Sequence, residues 1–177
     1  RQEAAKWRQF GDLRFALVAG NEKQRINALR SEADVYLANT DVCYWVVRYW
    51  LAQASDRVPV RDVCRLLRRM HLSDMADEVG ATGDRWSALF GWTDKSGRKQ
   101  KPLATSRLFT YAKHLNLKIP ADFTDLIVDE SSQYKTPGTR RFQSISAISN
   151  QFQRMSILTG TQSPNGLIDL WSQIYLL

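Results

Sequence analysis

The segment Val42–Ala52 constrains this chain more than any other. Its eleven positions, Val-Cys-Tyr-Trp-Val-Val-Arg-Tyr-Trp-Leu-Ala, carry a single charge, at Arg48. A run that is apolar on nearly every side must be buried on nearly every side, so other elements have to pack around it. Its β-branched and aromatic residues suit a strand as well as a helix. The preceding Asn39-Thr40-Asp41 supplies a stop and a cap, and helical spacing on both sides favours a central helix over Val42–Gln53. Neither this run nor any other approaches the ~18 uncharged apolar residues of a membrane span. With 44% hydrophobic and 24% charged residues in 177, disorder as the main state is excluded, and one compact domain or two small ones is the expectation.

The remaining periodicity reads as short helices. Trp7, Phe10, Leu13 and Leu17 form one stripe, and Ile26, Leu29, Ala33 and Leu37 a second. Pro59 opens a helix from Val60 to Met70, with Val63, Leu66, Leu67 and Met70 inward. Ser73 caps a short helix ending at Gly80, and another follows over Asp84–Phe90. Gly91–Pro102 reads as a polar basic loop, after which Leu103, Leu108, Tyr111, Ala112 and Leu115 mark a helix. A short element is expected around Asp122–Val128 after Pro120, and Asp129–Gly138 as a flexible connection. Phe142, Ile145, Ile148, Phe152 and Met155 form a stripe, as do Leu167, Leu170, Trp171 and Ile174 after Pro164-Asn165-Gly166. The predicted fold is therefore all-α, eight to ten short helices in one compact unit or in two abutting lobes at 1–92 and 103–177, with a basic loop at 93–102 between them.

Charge is unevenly placed. Residues 1–92 hold 14 basic and 12 acidic side chains, residues 93–141 hold 10 and 5, and residues 142–177 hold only Arg154 and Asp169. The excess centres on Lys95, Arg98, Lys99 and Lys101, a field that attracts polyanions. Cys43 and Cys64 lie in apolar patterns and make no disulfide framework, which points to an intracellular setting, cytoplasm or nucleus. The chain starts with Arg1, and no signal peptide is read from it.

Catalytic and metal motifs are sparse. His71 and His114 stand far apart among apolar residues, there is no His-Glu-x-x-His or Cys-x-x-Cys, and no Gly-x-Ser-x-Gly or Gly-x-Gly-x-x-Gly. Gly91–Lys99 has one residue too many between its glycines for a phosphate loop and Arg98 where lysine belongs. The adjacent pairs Asp77/Glu78 and Asp129/Glu130 read as surface charges near caps or turns. No enzyme, metal or cofactor is expected on these grounds.

Residues 72–91 resemble a helix-turn-helix: Ala76 as the small crossing residue, Gly80 four positions on, Trp86 six further, with Met75, Val79 and Leu89 in support. The resemblance implies a second helix in the major groove presenting Thr82, Asp84, Arg85 and Ser87, with Arg85 able to bind guanine in bidentate fashion. The Lys95–Lys101 cluster would then follow phosphates, flanked by Arg68, Arg69, Arg107, Arg140 and Arg141. Trp86, Phe90 and Trp92 beside these cations also allow stacking on a single strand, unless Trp86 and Phe90, four residues apart on a helix, are both core. Residues 7–80 are loosely similar in helix lengths and apolar spacing to death-fold domains, which implies an all-α protein–protein adaptor. The leading expectation is a non-enzymatic nucleic-acid-binding protein, DNA or RNA, with no membrane partner. The alternative is a helical interaction or self-assembly module, adaptor or coat-type, associating through the nearly uncharged C-terminal helices.

Overall fold

The computed structural model describes residues 11–119, 123–160 and 168–177. The chain forms two compact units, Arg1–Cys43 and Tyr44–Leu177. The expected basic junction at 93–102 thus falls inside the second unit.

In the first unit, β1 (Phe15–Val18) leads through helix α1 (Glu22–Arg30) to β2 (Val35–Ala38), and the two strands pair in parallel, Phe15 opposite Val35. Asn21 caps α1 by accepting the Gln24 N–H at 3.0 Å, while the Gln24 side chain accepts the Asn21 N–H at 2.9 Å, a capping box. Ala16 and Val18 are buried and Leu17 is exposed, the alternation of a strand. The helical stripes through Leu13–Leu17 and through Leu37 are therefore corrected, with Trp7 and Phe10 outside the described residues.

The second unit begins with the expected central helix, α2 (Thr40–Ser55), whose first turn straddles the junction. Trp45, Val46, Val47, Tyr49, Trp50, Leu51 and Ala52 are all buried. Helices α3 (Val60–Arg69) and α4 (Ser73–Thr82) pack on each other through Val63, Leu66, Leu67, Met75, Ala76 and Val79. Helix α5 (Trp86–Phe90) is a single turn, followed by an antiparallel hairpin of β3 (Trp92–Thr93) and β4 (Lys99–Gln100). A 3₁₀ turn at Thr105–Arg107 runs into α6 (Leu108–His114).

Strand β5 (Asp125–Val128) then reaches β6 (Arg154–Ile157) through a 3₁₀ turn at Ser131–Tyr134, helix α7 (Arg140–Ser146) and a 3₁₀ turn at Ser149–Gln151. β5 and β6 pair in parallel, Asp125 opposite Arg154 and Val128 opposite Ile157. The supposed flexible connection after Asp129 is ordered, with Ser131 and Tyr134 buried. Helix α8 (Ile168–Leu176) follows, with Ser172, Gln173 and Leu176 buried, while Trp171 and Ile174 of the expected stripe, and Tyr175, are exposed. Pro120 and residues 121–122, Pro164, Asn165, Gly166 and Leu167 lie outside the described residues. No helix among the described residues is long and apolar enough to cross a membrane.

The all-α expectation is overturned: among the described residues eight helices stand beside six strands in three two-stranded sheets, a mixed α/β protein. The death-fold likeness falls with it. Four-residue strands are too short to separate a period of two from one of 3.6, and parallel pairs joined by long crossovers leave no hairpin-turn signal.

Candidate functional site

Two places in the second unit concentrate charge on a defined scaffold. The first lies at the carboxyl ends of β5 and β6. At their start, Arg154 donates to both oxygens of Asp125, at 2.6 and 2.9 Å, locking the register. These hydrogen bonds from Arg154 also hold the Asp125 carboxyl below its ordinary range. At their other end, the Leu158 N–H donates to Val128 O at 2.8 Å and the Ser131 N–H to Leu158 O at 2.9 Å, which stitches both exits together. Asp129 follows β5 directly, exposed, with Oδ1 accepting the Glu130 N–H at 2.8 Å. Glu130 itself adopts φ 51, a left-handed conformation unusual for a residue with a side chain.

Asp129, Ile157, Leu158, Thr159, Gly160, Gln173 and Ile174 line a cleft of about 480 Å³ there. Ser131 Oγ donates to Gln173 Oε1 at 2.7 Å, and Ser172 Oγ to Lys135 O at 2.7 Å, so α8 is held against this end of the strands by polar contacts. That accounts for the polar Ser172 and Gln173 on its buried side, beside the buried Leu176. Among the described residues no three His, Cys, Asp or Glu side chains converge as a metal cage.

The second place is the hairpin. Asp94 Oδ1 accepts the Ser96 N–H at 2.9 Å, the Ser96 hydroxyl at 2.6 Å and the Arg98 N–H at 2.9 Å. Its Oδ2 accepts Gln100 Nε2 at 2.7 Å. These bonds, the Ser96 hydroxyl first among them, hold the Asp94 carboxyl down at about 2. At the base, the Leu103 N–H donates to Ala88 O at 2.8 Å. Arg48 of α2, only 6% exposed, donates through Nη1 to Leu89 O at 2.6 Å and through Nη2 to Leu103 O at 2.7 Å. Burial pulls the Arg48 pKa down. A single buried guanidinium thus clamps both feet of the hairpin to the central helix. Lys95, Arg98, Lys99 and Lys101 are all exposed on it.

The sequence-predicted residues fall into distinct places. Lys95, Arg98, Lys99 and Lys101 come together on the hairpin. The helix-turn-helix residues take another form: Gly80 lies within α4, the chain reverses at Gly83 with φ 69, and the second helix is one turn long. Arg85 donates twice to Val58 O, at 3.0 and 2.8 Å, and to Gly83 O at 3.1 Å. Ser87 is buried and donates to Asp84 O at 2.8 Å, and Thr82 donates to Glu78 O at 2.8 Å. These groups serve local structure. Arg107 donates to Met70 O at 2.6 Å, and Arg68 pairs with Asp77 at 2.8 Å. Arg69 is exposed, and Arg140 and Arg141 begin α7. Trp86 and Phe90 stack at 5.5 Å and join Trp45 and Tyr49 in one aromatic cluster, where both are half-buried.

Asp129 and Glu130, read in the sequence as surface charges near a turn, are both exposed at the bend after β5, and their strand-end position is what the sequence did not reveal. The available signal was an apolar run, Leu126-Ile127-Val128, ending abruptly on two carboxylates. No protein-family model, curated protein or solved structure matches the chain.

Proposed function

We propose that this chain supplies the magnesium side of a nucleoside-triphosphate site to a protein that works on nucleic acid. The observation that carries the reading is Asp129, placed immediately beyond the stitched carboxyl ends of two parallel strands and beside a cleft. Ligands of open α/β sheets bind outside the carboxyl ends of the strands. Magnesium dehydrates reluctantly and takes one or two carboxylates plus substrate phosphates rather than a full protein cage, which suits a lone strand-end pair. A strand-end Asp holds Mg²⁺ in this way in phosphate-transferring NTPases. The Glu130 N–H bonded to Asp129 Oδ1 orients the metal ligand, and the Glu130 carboxylate, one residue on, suits a base that takes a proton from attacking water. The sequence contains no Gly-x-x-x-x-Gly-Lys cradle, so on this reading the nucleotide is held through its metal rather than through a lysine loop. Nucleic acid is kept as the polymer partner because of the net charge of +7 and the exposed cationic hairpin. On this reading the chain belongs to an enzyme, where the sequence alone led us to expect none.

The test is binding of a fluorescent ATP analogue to the full chain in Mg²⁺ or EDTA, with and without duplex DNA, together with phosphate release. Binding should require Mg²⁺, and Asp129→Asn should weaken it by about tenfold or more, the worth of one charged contact. Binding that is absent, indifferent to EDTA, or unchanged in a folded Asp129→Asn protein overturns the reading. One observation favours the interaction-module alternative, namely the exposed Trp171, Ile174 and Tyr175 on α8. Light scattering decides it: concentration-dependent association supports this reading, and a strict monomer counts against it.

A further inference from the structure

We infer that the hairpin between Gly91 and Leu103 is a pre-formed cationic arm for the phosphodiester backbone of nucleic acid, and that Asp94, although negative, is the positioning residue its affinity depends on. The inference rests on the nucleic-acid part of the proposed function and deepens it, stands apart from the strand-end site, and does not require nucleotide to bind.

Four cations and one carboxylate lie between Trp92 and Lys101, and the four cations are exposed while the carboxylate is turned inward. Flexible lysines and arginines on a floppy loop lose freedom when they meet phosphates, and that loss subtracts from affinity. Here the loop is knotted beforehand. Asp94 gathers two backbone N–H groups, a hydroxyl and the Gln100 amide, while its own N–H donates to Arg98 O at 2.9 Å and the Gly97 N–H donates to Asp94 O at 2.9 Å. The cross-strand register puts Lys99 opposite Thr93 on the exposed side and Gln100 opposite Trp92 on the half-buried side. Gly91 at the foot takes φ 83, and a side chain there would meet Gln100 O at 2.5 Å, so the arm leaves the body at a fixed angle. Two-stranded ribbons of this size fit the grooves and edges of a duplex, where such cations contact phosphates.

The sign of one substitution separates this account from simple charge counting. Removing a negative charge raises net charge, so charge counting expects Asp94→Ala and Asp94→Asn both to bind nucleic acid more tightly. The pre-formed arm expects Asp94→Ala to bind at least about fivefold more weakly, because the cations must now be ordered on binding. Asp94→Asn keeps an oxygen acceptor for the Ser96 and Arg98 N–H groups and should stay near the parent. The measurement is fluorescence anisotropy of labelled duplex and single-stranded oligonucleotides across a salt series, without nucleotide, on proteins whose fold is verified by circular dichroism. The combined Lys95, Arg98, Lys99 and Lys101 to Ala variant should flatten the slope of log affinity against log salt by about 0.9 per lost duplex contact, up to about 3.6. It should leave Mg²⁺-dependent binding of the ATP analogue unchanged, whereas Asp129→Asn should leave the salt slope unchanged, so failure of either reading is visible without the other. Tighter binding by Asp94→Ala, or a fourfold variant whose slope stays within about 0.5 of the parent's, overturns the inference. Should Asp94→Ala fail to fold, the fourfold variant decides.

Discussion

Replacing Arg48 tests the central clamp of the second unit. Its guanidinium is buried and its strong acceptors are two backbone carbonyls, Leu89 O at 2.6 Å and Leu103 O at 2.7 Å, with Thr105 Oγ1 more distant at 3.4 Å. A buried hydrogen bond from a charged donor contributes about 1.5–3 kcal/mol, and an orphaned buried carbonyl costs a similar amount. Two such bonds place Arg48→Ala at about 3–6 kcal/mol of lost stability. Arg48→Lys keeps the charge but offers one nitrogen where the fork offers two, and should lose about half of that, 1.5–3 kcal/mol. Urea denaturation followed by circular dichroism measures both. Hydrogen exchange should show the Gly97 and Arg98 amides of the hairpin losing protection in Arg48→Ala, since both feet of the hairpin are released. A cost below about 1 kcal/mol for Arg48→Ala, or equal costs for Ala and Lys, would refute the clamp.

Two further outcomes follow from the hairpin. The Asp94 carboxyl is held at about 2, below the ordinary 3.8, so its ionised form favours the folded hairpin. That contribution is present in full above about pH 4 and is lost as pH falls towards 2. The Ser96 and Arg98 amide resonances should move across that window in the parent and stay fixed in Asp94→Asn. Gly91→Ala should cost about 2–4 kcal/mol, combining a backbone region closed to side chains with a contact to Gln100 O. Gly97→Ala, at φ 80 with open space around it, should cost only about 1 kcal/mol, and equal melting shifts for the two would count against the tight hairpin base.

The sequence by itself determined the long-patterned parts of this protein. Helix α2 was legible because a run from Val42 to Ala52 with one charge has few other fates than burial, and α3 because Pro59 and the Val63, Leu66, Leu67 spacing agree. The cationic cluster at Lys95–Lys101 was legible as composition, though not as a hairpin, because its ordering depends on a carboxylate two to six positions away choosing backbone partners. The strands were illegible: Phe15–Val18 and Arg154–Ile157 each show four residues, and their parallel partners lie 20 and 29 positions distant across crossovers. Arg85 looked like a base reader because exposure cannot be read from a residue type, and only tertiary packing brought Val58 O within its reach. Asp129 was visible as an acid, and only the pairing of β5 with β6 made it a strand-end acid beside a cleft. Local periodicity is written within one turn or two of chain. The sites depend on which distant backbone groups become neighbours, and that is decided when the core closes.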